Sequence, residues 1–291
     1  MFNIEKYSKV KSVSEAVSLL KENPQAKLIA GGTDVLIRLR EGEEEYTELI
    51  DIHELAELMN IEKKQNGDVY IGSAVTFSQL MEDKIIKDCV PVLAQAAGTL
   101  GGPQVRNVAT IGGNLCNGAI SADSAAALFV LDAVLEIEGI KGTRETPVRE
   151  FYLGPGKVVL EQGDVLKAVI IKQENYTGFG ANYYKYAMRN AMDIATIGCA
   201  ATCKLDGEKV AELKIAFTVA APKPMRAQTA EDAARGKQVT AENIEAIAAL
   251  VLEDLNPRDS WRASKNFRLH IIQTLAQRVI TAAIEDSGVR Q

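Results

Sequence analysis

Between residues 98 and 118 the chain places glycine at Gly98, Gly101, Gly102, Gly112, Gly113 and Gly118. Backbone so poor in side chains contributes little to a core; it bends sharply or lets another group come close. A second instance stands at Gly31 and Gly32, directly after the apolar run AKLIA. The two turns, Ala30-Gly-Gly-Thr-Asp34 and Thr110-Ile-Gly-Gly-Asn114, each follow an apolar, strand-like segment and each carry a hydroxyl and a small polar side chain. Successive backbone N–H groups in such turns form concave anion sites, and the missing side chains admit a diphosphate. One such turn is by default only a turn. Two of them suit a dinucleotide, whose diphosphate can be gripped from both sides. Asp34 and Asp123 would repel phosphate, so in that arrangement they accept hydrogen bonds from ribose or adenine. Asp123 closes a polar, glycine-containing stretch ahead of an alanine-rich helix starting near Ser121, whose positive end points back at the same place.

The remaining pattern is α+β. Ser12 to Glu15 reads as a capping box for a helix stopped at Asn23-Pro24, and AKLIA and Glu48 to Ile52 read as strands. Alternation at Val69, Ile71 and Ser73 begins another strand, and Thr76 to Gln79 caps a further helix. Strands follow near Ala133 to Ile137 and Val165 to Ile171. From Asn182 the pattern changes to three extended runs and then to helices over 241–255 and 264–285, the last with Phe267, Ile271, Leu275 and Val279 on one face. The change places a boundary near residue 177.

Several function classes are excluded. The 291 residues hold 33 Lys+Arg against 39 Asp+Glu, a net charge of −6, which speaks against nucleic-acid binding. No apolar stretch reaches membrane-spanning length and no leader-like segment opens the chain, so a cytoplasmic protein is expected. Cys89, Cys116, Cys199 and Cys203 include no CxxC pair, so neither a disulfide framework nor a metal or iron–sulfur site is expected on this chain; Cys199 and Cys203 read as buried thiols. The common nucleotide, zinc, serine-hydrolase and calcium motifs are absent, and His53 and His270 read as structural.

At these residues the chain resembles the FAD-binding subunits of the molybdenum hydroxylases, the xanthine dehydrogenase and carbon monoxide dehydrogenase family. The resemblance rests on AGGTDVL (30–36), GPQVRNVATIGGNLCNGAISAD (102–123), FYLGPGKVVL (151–160), KYAMRNAMDIATIGCAA (185–201) and PRDSWRASKNFRLHII (257–272), and is greatest to the separate FAD subunit of bacterial xanthine dehydrogenase. It implies two α/β subdomains of the vanillyl-alcohol-oxidase type, residues 1–57 and 58–177, that hold FAD between them, and a C-terminal domain of antiparallel sheet and helices, residues 178–291. Carried over by position, Lys27, Leu28, Ile29, Ala30, Gly31, Gly32, Thr33, Asp34 and Val35 line the FAD, with the Gly31-Gly32 turn on the diphosphate. Thr110, Ile111, Gly112, Gly113 and Asn114 hold its other side, Asp123 meets the adenosine half, and Leu100, Leu166 and Lys185 also contact the cofactor. Lys185, with Arg189 nearby, would stabilise negative charge on the reduced flavin.

The resemblance further implies a molybdopterin-binding large subunit and a small subunit with two [2Fe-2S] clusters as partners, with electrons passing through this FAD to NAD. The chain departs from the family at Leu100, where animal members have a phenylalanine against the flavin, and at Pro155, which aligns with the tyrosine near flavin N5; Tyr152 and Tyr183 are the candidates for that place. The stretch Trp261, Arg262, Lys265 and Arg268 is a candidate docking site for the iron–sulfur subunit, or a solvated helix face. The alternatives are a stand-alone FAD-dependent reductase or oxidase of the same fold, an FAD subunit of a carbon monoxide, nicotinate or aldehyde enzyme, and a non-catalytic assembly module.

Overall fold

A computed structural model describes residues 3–290. The first layer is a parallel sheet of β1 (Lys6–Lys9), β2 (Lys27–Ile29) and β3 (Glu48–Asp51) in the order β1-β3-β2, with helices α1 (Val13–Glu22) and α2 (Val35–Glu41) in the connections. Val13, Ala16, Val17 and Leu20 of α1 recur at helical spacing and pack on Ile50 and Ile52. Ser12 caps α1 by accepting from Glu15 N at 3.1 Å, but the Glu15 carboxylate accepts from Lys11 N at 2.7 Å, so the expected reciprocal box closes one residue early.

The second layer is a five-stranded sheet formed by β4 (Ile61–Lys63), β5 (Val69–Gly72), β6 (Val134–Gly139), β7 (Gly142–Pro147) and, after the short ribbon β8 (Tyr152–Gly154) and β9 (Lys157–Val158), β10 (Val165–Ile171). Its order is β4-β5-β10-β6-β7. Helices α3 (Phe77–Glu82), α4 (Lys84–Cys89), α5 (Pro91–Gly98), α6 (Pro103–Arg106), α7 (Ile111–Cys116) and α8 (Asp123–Val130) follow β5, and the single turn α9 (Val148–Phe151) follows β7. At Thr76 the capping box is complete, its hydroxyl accepting from Gln79 N and its N–H donating to Gln79 Oε1.

The third layer is the antiparallel sheet β11 (Gly180–Tyr186), β12 (Ile197–Asp206), β13 (Lys209–Thr218) and β14 (Met225–Arg226), backed by α10 (Gln228–Ala234), α11 (Ala241–Leu250) and the long α12 (Lys265–Arg290). This sheet is buried on both faces. Ile197, Cys199, Ala201, Cys203, Ile215 and Phe217 pack on the helices, while Ala181, Tyr183, Ala200 and Ala216 join the core of the second layer. Double burial explains the unbroken apolar run ATIGCAATC, which shows no polar alternation. On α12, Leu275 and Val279 are buried as the periodicity requires, but Phe267 lies outside the stripe, exposed against Tyr186 at 6.0 Å between rings. No helix among the described residues is long and apolar enough to cross a membrane.

Candidate functional site

The first glycine turn leaves β2 at the buried Ile29. Gly32 holds φ +72°, a left-handed conformation glycine adopts without strain. Gly31 is pressed on the segment leading to the second turn; a Cβ there would land on the carbonyl of Val108. The two turns, some 80 residues apart in sequence, are therefore in contact through backbone. Carbonyls of this turn are used, Gly32 accepting from Leu36 N at 2.9 Å and Asp34 from Arg38 N at 3.1 Å. Its donors are not: among the described residues no acceptor meets the N–H groups of Gly31, Gly32, Thr33 or Asp34. A consecutive row of N–H groups without protein acceptors is the donor set an anion requires.

The second turn differs from the expected strand-end turn. Thr110 is the N-cap of α7, and the N–H groups that follow are occupied: Ile111 donates to Val75 O at 3.0 Å, Gly112 to Ser73 O at 2.8 Å, Gly113 to Thr110 Oγ1 at 3.0 Å and Asn114 to Thr110 O at 3.0 Å. The symmetrical pair of backbone cradles is thus corrected to one cradle, at residues 31–34, beside a helix start that shapes the space. Gly112 serves packing, since a Cβ there would lie 2.6 Å from Ser73 Cβ and 2.7 Å from Ser73 O. Gly113 is exposed, and its Cβ would meet only Thr110 Oγ1, at 3.0 Å. It is the residue of this turn that leaves room.

A line of polar contacts runs from the cradle across the second layer. Asn117 Nδ2 donates to Asp34 Oδ1 at 3.2 Å, and Arg38 Nη2 donates to Asn117 Oδ1 at 3.2 Å. From α7, Asn114 Oδ1 accepts from Ser124 Oγ at 2.7 Å. Next to Ser124, the buried Asp123 carboxylate lies 2.9 Å from Lys185 Nζ on β11, and that ammonium donates to Thr99 O at 3.0 Å, beside Leu100. Burial pushes the Asp123 carboxyl up to about 6 although Lys185 pulls the other way. Asp123 and Lys185, expected at the adenosine half and at the flavin, are thus joined as one ion pair. Arg38, Thr99, Asn117 and Ser124 are additions. Ser124 lies ten residues from Asn114, while the partners of Arg38, Thr99 and Asn117 in this line lie about 80 residues away, too far for any spacing to reveal.

The other expected residues surround this line. Leu28 and Ala30 are half-buried against the core of the first layer, Val35 opens α2, and Lys27 turns to Glu45 at 3.4 Å. Leu166 is buried on β10 one residue before Lys167, whose carbonyl accepts from Ser73 N at 2.9 Å and so is joined to α7. The tyrosine candidates present no hydroxyl to solvent. Tyr152 packs edge-on against Phe151 at 5.7 Å, Tyr183 is buried in β11, and both hydroxyls lack a partner. Pro155 sits in the ribbon turn whose Gly156 N donates to Gly118 O at 2.9 Å. The docking candidate also changes: Arg268 is 2% exposed, donating to Thr196 O and, at 2.8 Å, to Ser260 Oγ, so it is a core residue.

An elongated ligand with an anionic middle fits these residues: donors at 31–34, room at Gly113, and a buried ion pair and an aliphatic side chain farther along. Residues 2–172 match the FAD binding domain in molybdopterin dehydrogenase, and residues 182–283 match the CO dehydrogenase flavoprotein C-terminal domain. The chain is a molybdenum hydroxylase FAD-binding subunit. Within that family it is 49% identical over 288 residues to the xanthine dehydrogenase FAD-binding subunit of Escherichia coli O157:H7, covering 99% of each chain. It is 32% identical to the carbon monoxide dehydrogenase medium chain of Hydrogenophaga pseudoflava, covering 95% of this chain and 96% of that one. The solved carbon monoxide dehydrogenase from that organism superposes with a TM-score of 0.93 at 31% identity, over 98% of this chain and 99% of the other. Quinoline 2-oxidoreductase from Pseudomonas putida 86 superposes with a TM-score of 0.92 at 27% identity, over 100% of both chains. This FAD-binding subunit thus has the fold of the medium subunits, and its likeness in sequence is to the xanthine dehydrogenase type.

Proposed function

We propose that the chain is the FAD-carrying electron-transfer subunit of a xanthine dehydrogenase-type assembly that hydroxylates a purine. Electrons arrive from [2Fe-2S] clusters of a small subunit, the molybdopterin being held by a large subunit, and leave to NAD. The observation that carries this reading is the row of N–H groups at Gly31, Gly32, Thr33 and Asp34 without protein acceptors. When bound, the isoalloxazine supplies the redox chemistry, and the protein positions it and tunes its potential.

The roles of this chain follow from its own atoms. The backbone at 31–34 binds the diphosphate, through a turn that Gly32 makes with a left-handed φ of +72°. Gly113 lets the diphosphate come close, and Asn117 holds Asp34 for a ribose or adenine donor. The Lys185 ammonium, fixed by Thr99 O and Asp123, keeps a positive charge in a buried place where negative charge develops on the ring. Leu100 provides aliphatic packing there and excludes water. In this reading residues 1–57 and 58–177 are the two FAD-binding subdomains and 178–291 the C-terminal domain. In this reading the chain works in the cytoplasm, where its four free cysteines stay reduced.

The purified chain is expected to be yellow, absorbing near 450 nm with about one flavin per chain. Gly113→Val is expected to give a folded, colourless protein, because the branched side chain fills the space beside the cradle. A colourless wild-type chain that takes up no FAD on refolding overturns the reading.

A further inference from the structure

Beside the Asp123–Lys185 pair the structure gathers buried polar atoms that the flavin reading does not use. Tyr183 is 7% exposed and Thr218 1%, and among the described residues neither hydroxyl has a hydrogen-bond partner. Asp123 Oδ1, paired in charge with Lys185 Nζ at 2.9 Å, is in no hydrogen bond either. Each such atom costs the desolvation of a polar group with no bond in return, so a group of them in one place calls for a reason. The sheet register brings them together. Gly198 of β12 stands between Lys185 of β11 and Thr218 of β13, and Tyr183, two residues from Lys185, shares its face. A Cβ at Gly198 would lie 2.4 Å from Thr218 Oγ1 and 3.4 Å from Tyr183 Oη, so the two hydroxyls converge over the bare glycine.

The two hydroxyls make no bond to each other, yet both reach that one point, so less than about 6 Å separates them, a gap that one water spans. The second layer closes over it. Val219 N, next to Thr218, donates to Ile120 O at 3.0 Å, three residues before Asp123. Val219 holds φ +63°, a left-handed conformation costly for a β-branched residue, and such strain persists only where the surroundings over-determine it. Here it fixes Thr218 against the start of α8. Among the described residues Lys185 is the one charged group that acts on the Asp123 carboxyl, and Asp123 in turn acts on Tyr183. The other groups acting on Tyr183 are Cys199, a thiol that burial keeps protonated, and Thr99, whose own hydroxyl proton is spent on Ala96 O at 2.8 Å.

We propose that Tyr183 is a positioning residue of this site: its hydroxyl, with that of Thr218 and one buried water between them, donates toward Asp123 and holds it as an oriented carboxylate opposite Lys185. Three polar partners are what a buried water requires. The consequence for the cofactor is electrostatic and rests on the flavin reading. While Asp123 is ionised it offsets the Lys185 ammonium; when it holds a proton the ammonium acts uncompensated on negative charge at the ring. Tyr183 thus sets how much of that cation the flavin feels.

The test uses Tyr183→Phe, which removes one oxygen and keeps the ring. In the flavin-loaded chain, redox titration against a reference dye is expected to show the ratio of reduced to oxidised flavin at a fixed poise raised about three- to tenfold, up to about 30 mV to the positive side for a two-electron couple. In the flavin-free chain, urea titrations at about pH 4.5 and about pH 8 are expected to show a steeper fall of stability with pH than in wild type, because a carboxyl that loses a donor holds its proton more firmly in the native state. Asp123→Asn should abolish this second effect. Thr218→Val should reproduce both effects in weaker form, and it takes the place of Tyr183→Phe should that variant melt early. The proposal is overturned if Tyr183→Phe leaves the potential or the pH dependence as in wild type, or shifts stability equally at both pH values, as removal of an idle hydroxyl would. It is equally overturned if the change in pH dependence persists in the Asp123→Asn background. A wild-type chain that takes up no flavin but shows the coupled pH dependence sinks the flavin reading and leaves the positioning of Asp123 standing.

Discussion

The glycines of the two turns look alike in sequence and have different physical duties. Gly31 has the carbonyl of Val108 where a side chain would go, whereas Gly113 is exposed with only a rotatable hydroxyl near it. Gly31→Ala is therefore expected to overpack the junction, costing at least about 1–3 kcal/mol, and to lower the melting temperature. Gly113→Ala gains up to about 1 kcal/mol of helix propensity and disturbs a cap of similar worth, so its urea midpoint should stay within a few tenths molar of wild type while flavin affinity falls. A Gly113→Ala chain that retains full affinity would show that nothing approaches this residue. Asp123 gives a second residue-level expectation. Its carboxyl is pushed from 3.8 to about 6 by burial, so the native state holds this proton more firmly than the unfolded chain does. Stability from this group is greatest below about pH 4 and declines by about 3 kcal/mol as pH rises to about 6. Asp123→Asn should remove that slope, so that its stability relative to wild type changes between pH 4.5 and pH 7; urea titrations at the two pH values measure the difference.

At the scale of elements, local chemistry was legible where the deciding partners are local. The Thr76 to Gln79 box lies within one turn, and both of its bonds form. Thr76→Ala should cost about 1–2 kcal/mol in denaturant unfolding, more than Ser12→Ala, which breaks one cap bond. The α7 start was misread because Gly112 and Gly113 depress helix propensity, and what stabilises it comes from elsewhere: Ser73 and Val75 accept its first donors. Edge strands escaped as well. β1, β4 and β7 each pair on one side only, and their polar sequences KYSK, IEK and GTRETP offer no apolar alternation to read. The candidate site divides in the same way. The glycine turns are visible in the sequence, while Asn117, Arg38, Ser124 and the Asp123–Lys185 pair are brought in by tertiary packing alone.

At the scale of the whole molecule, the five-stranded sheet ends at Ile171 and the antiparallel sheet of the third layer begins at Gly180, while the cores continue across the join. Ala181, Tyr183, Ala200 and Ala216 of the third layer belong to the apolar core of the second. An ionic hub reinforces the junction. Asp132, just past α8 with φ +43°, lies 2.8 Å from Lys214 Nζ, 2.8 Å from Arg226 Nη1 and 3.4 Å from Arg149 Nε. Burial works against its charged form, but Arg226, Lys214 and Arg149 prevail and hold its carboxyl below the usual range. Lys214 and Arg226 are themselves largely buried but keep Glu212 at 3.4 Å and Glu231 at 2.6 Å, so Asp132→Ala weakens the hub without stranding either cation and should cost about 1–3 kcal/mol. Because core and hub both bridge residue 177, the flavin-loaded chain should unfold in a single transition, with near-ultraviolet dichroism and flavin release coinciding. Asp132→Ala should lower that common midpoint rather than split it. Two separated transitions in the wild type would show that the halves are stable independently. The fragment 178–291, expressed alone, would then be soluble instead of aggregating through the uncovered face of β11 and β12.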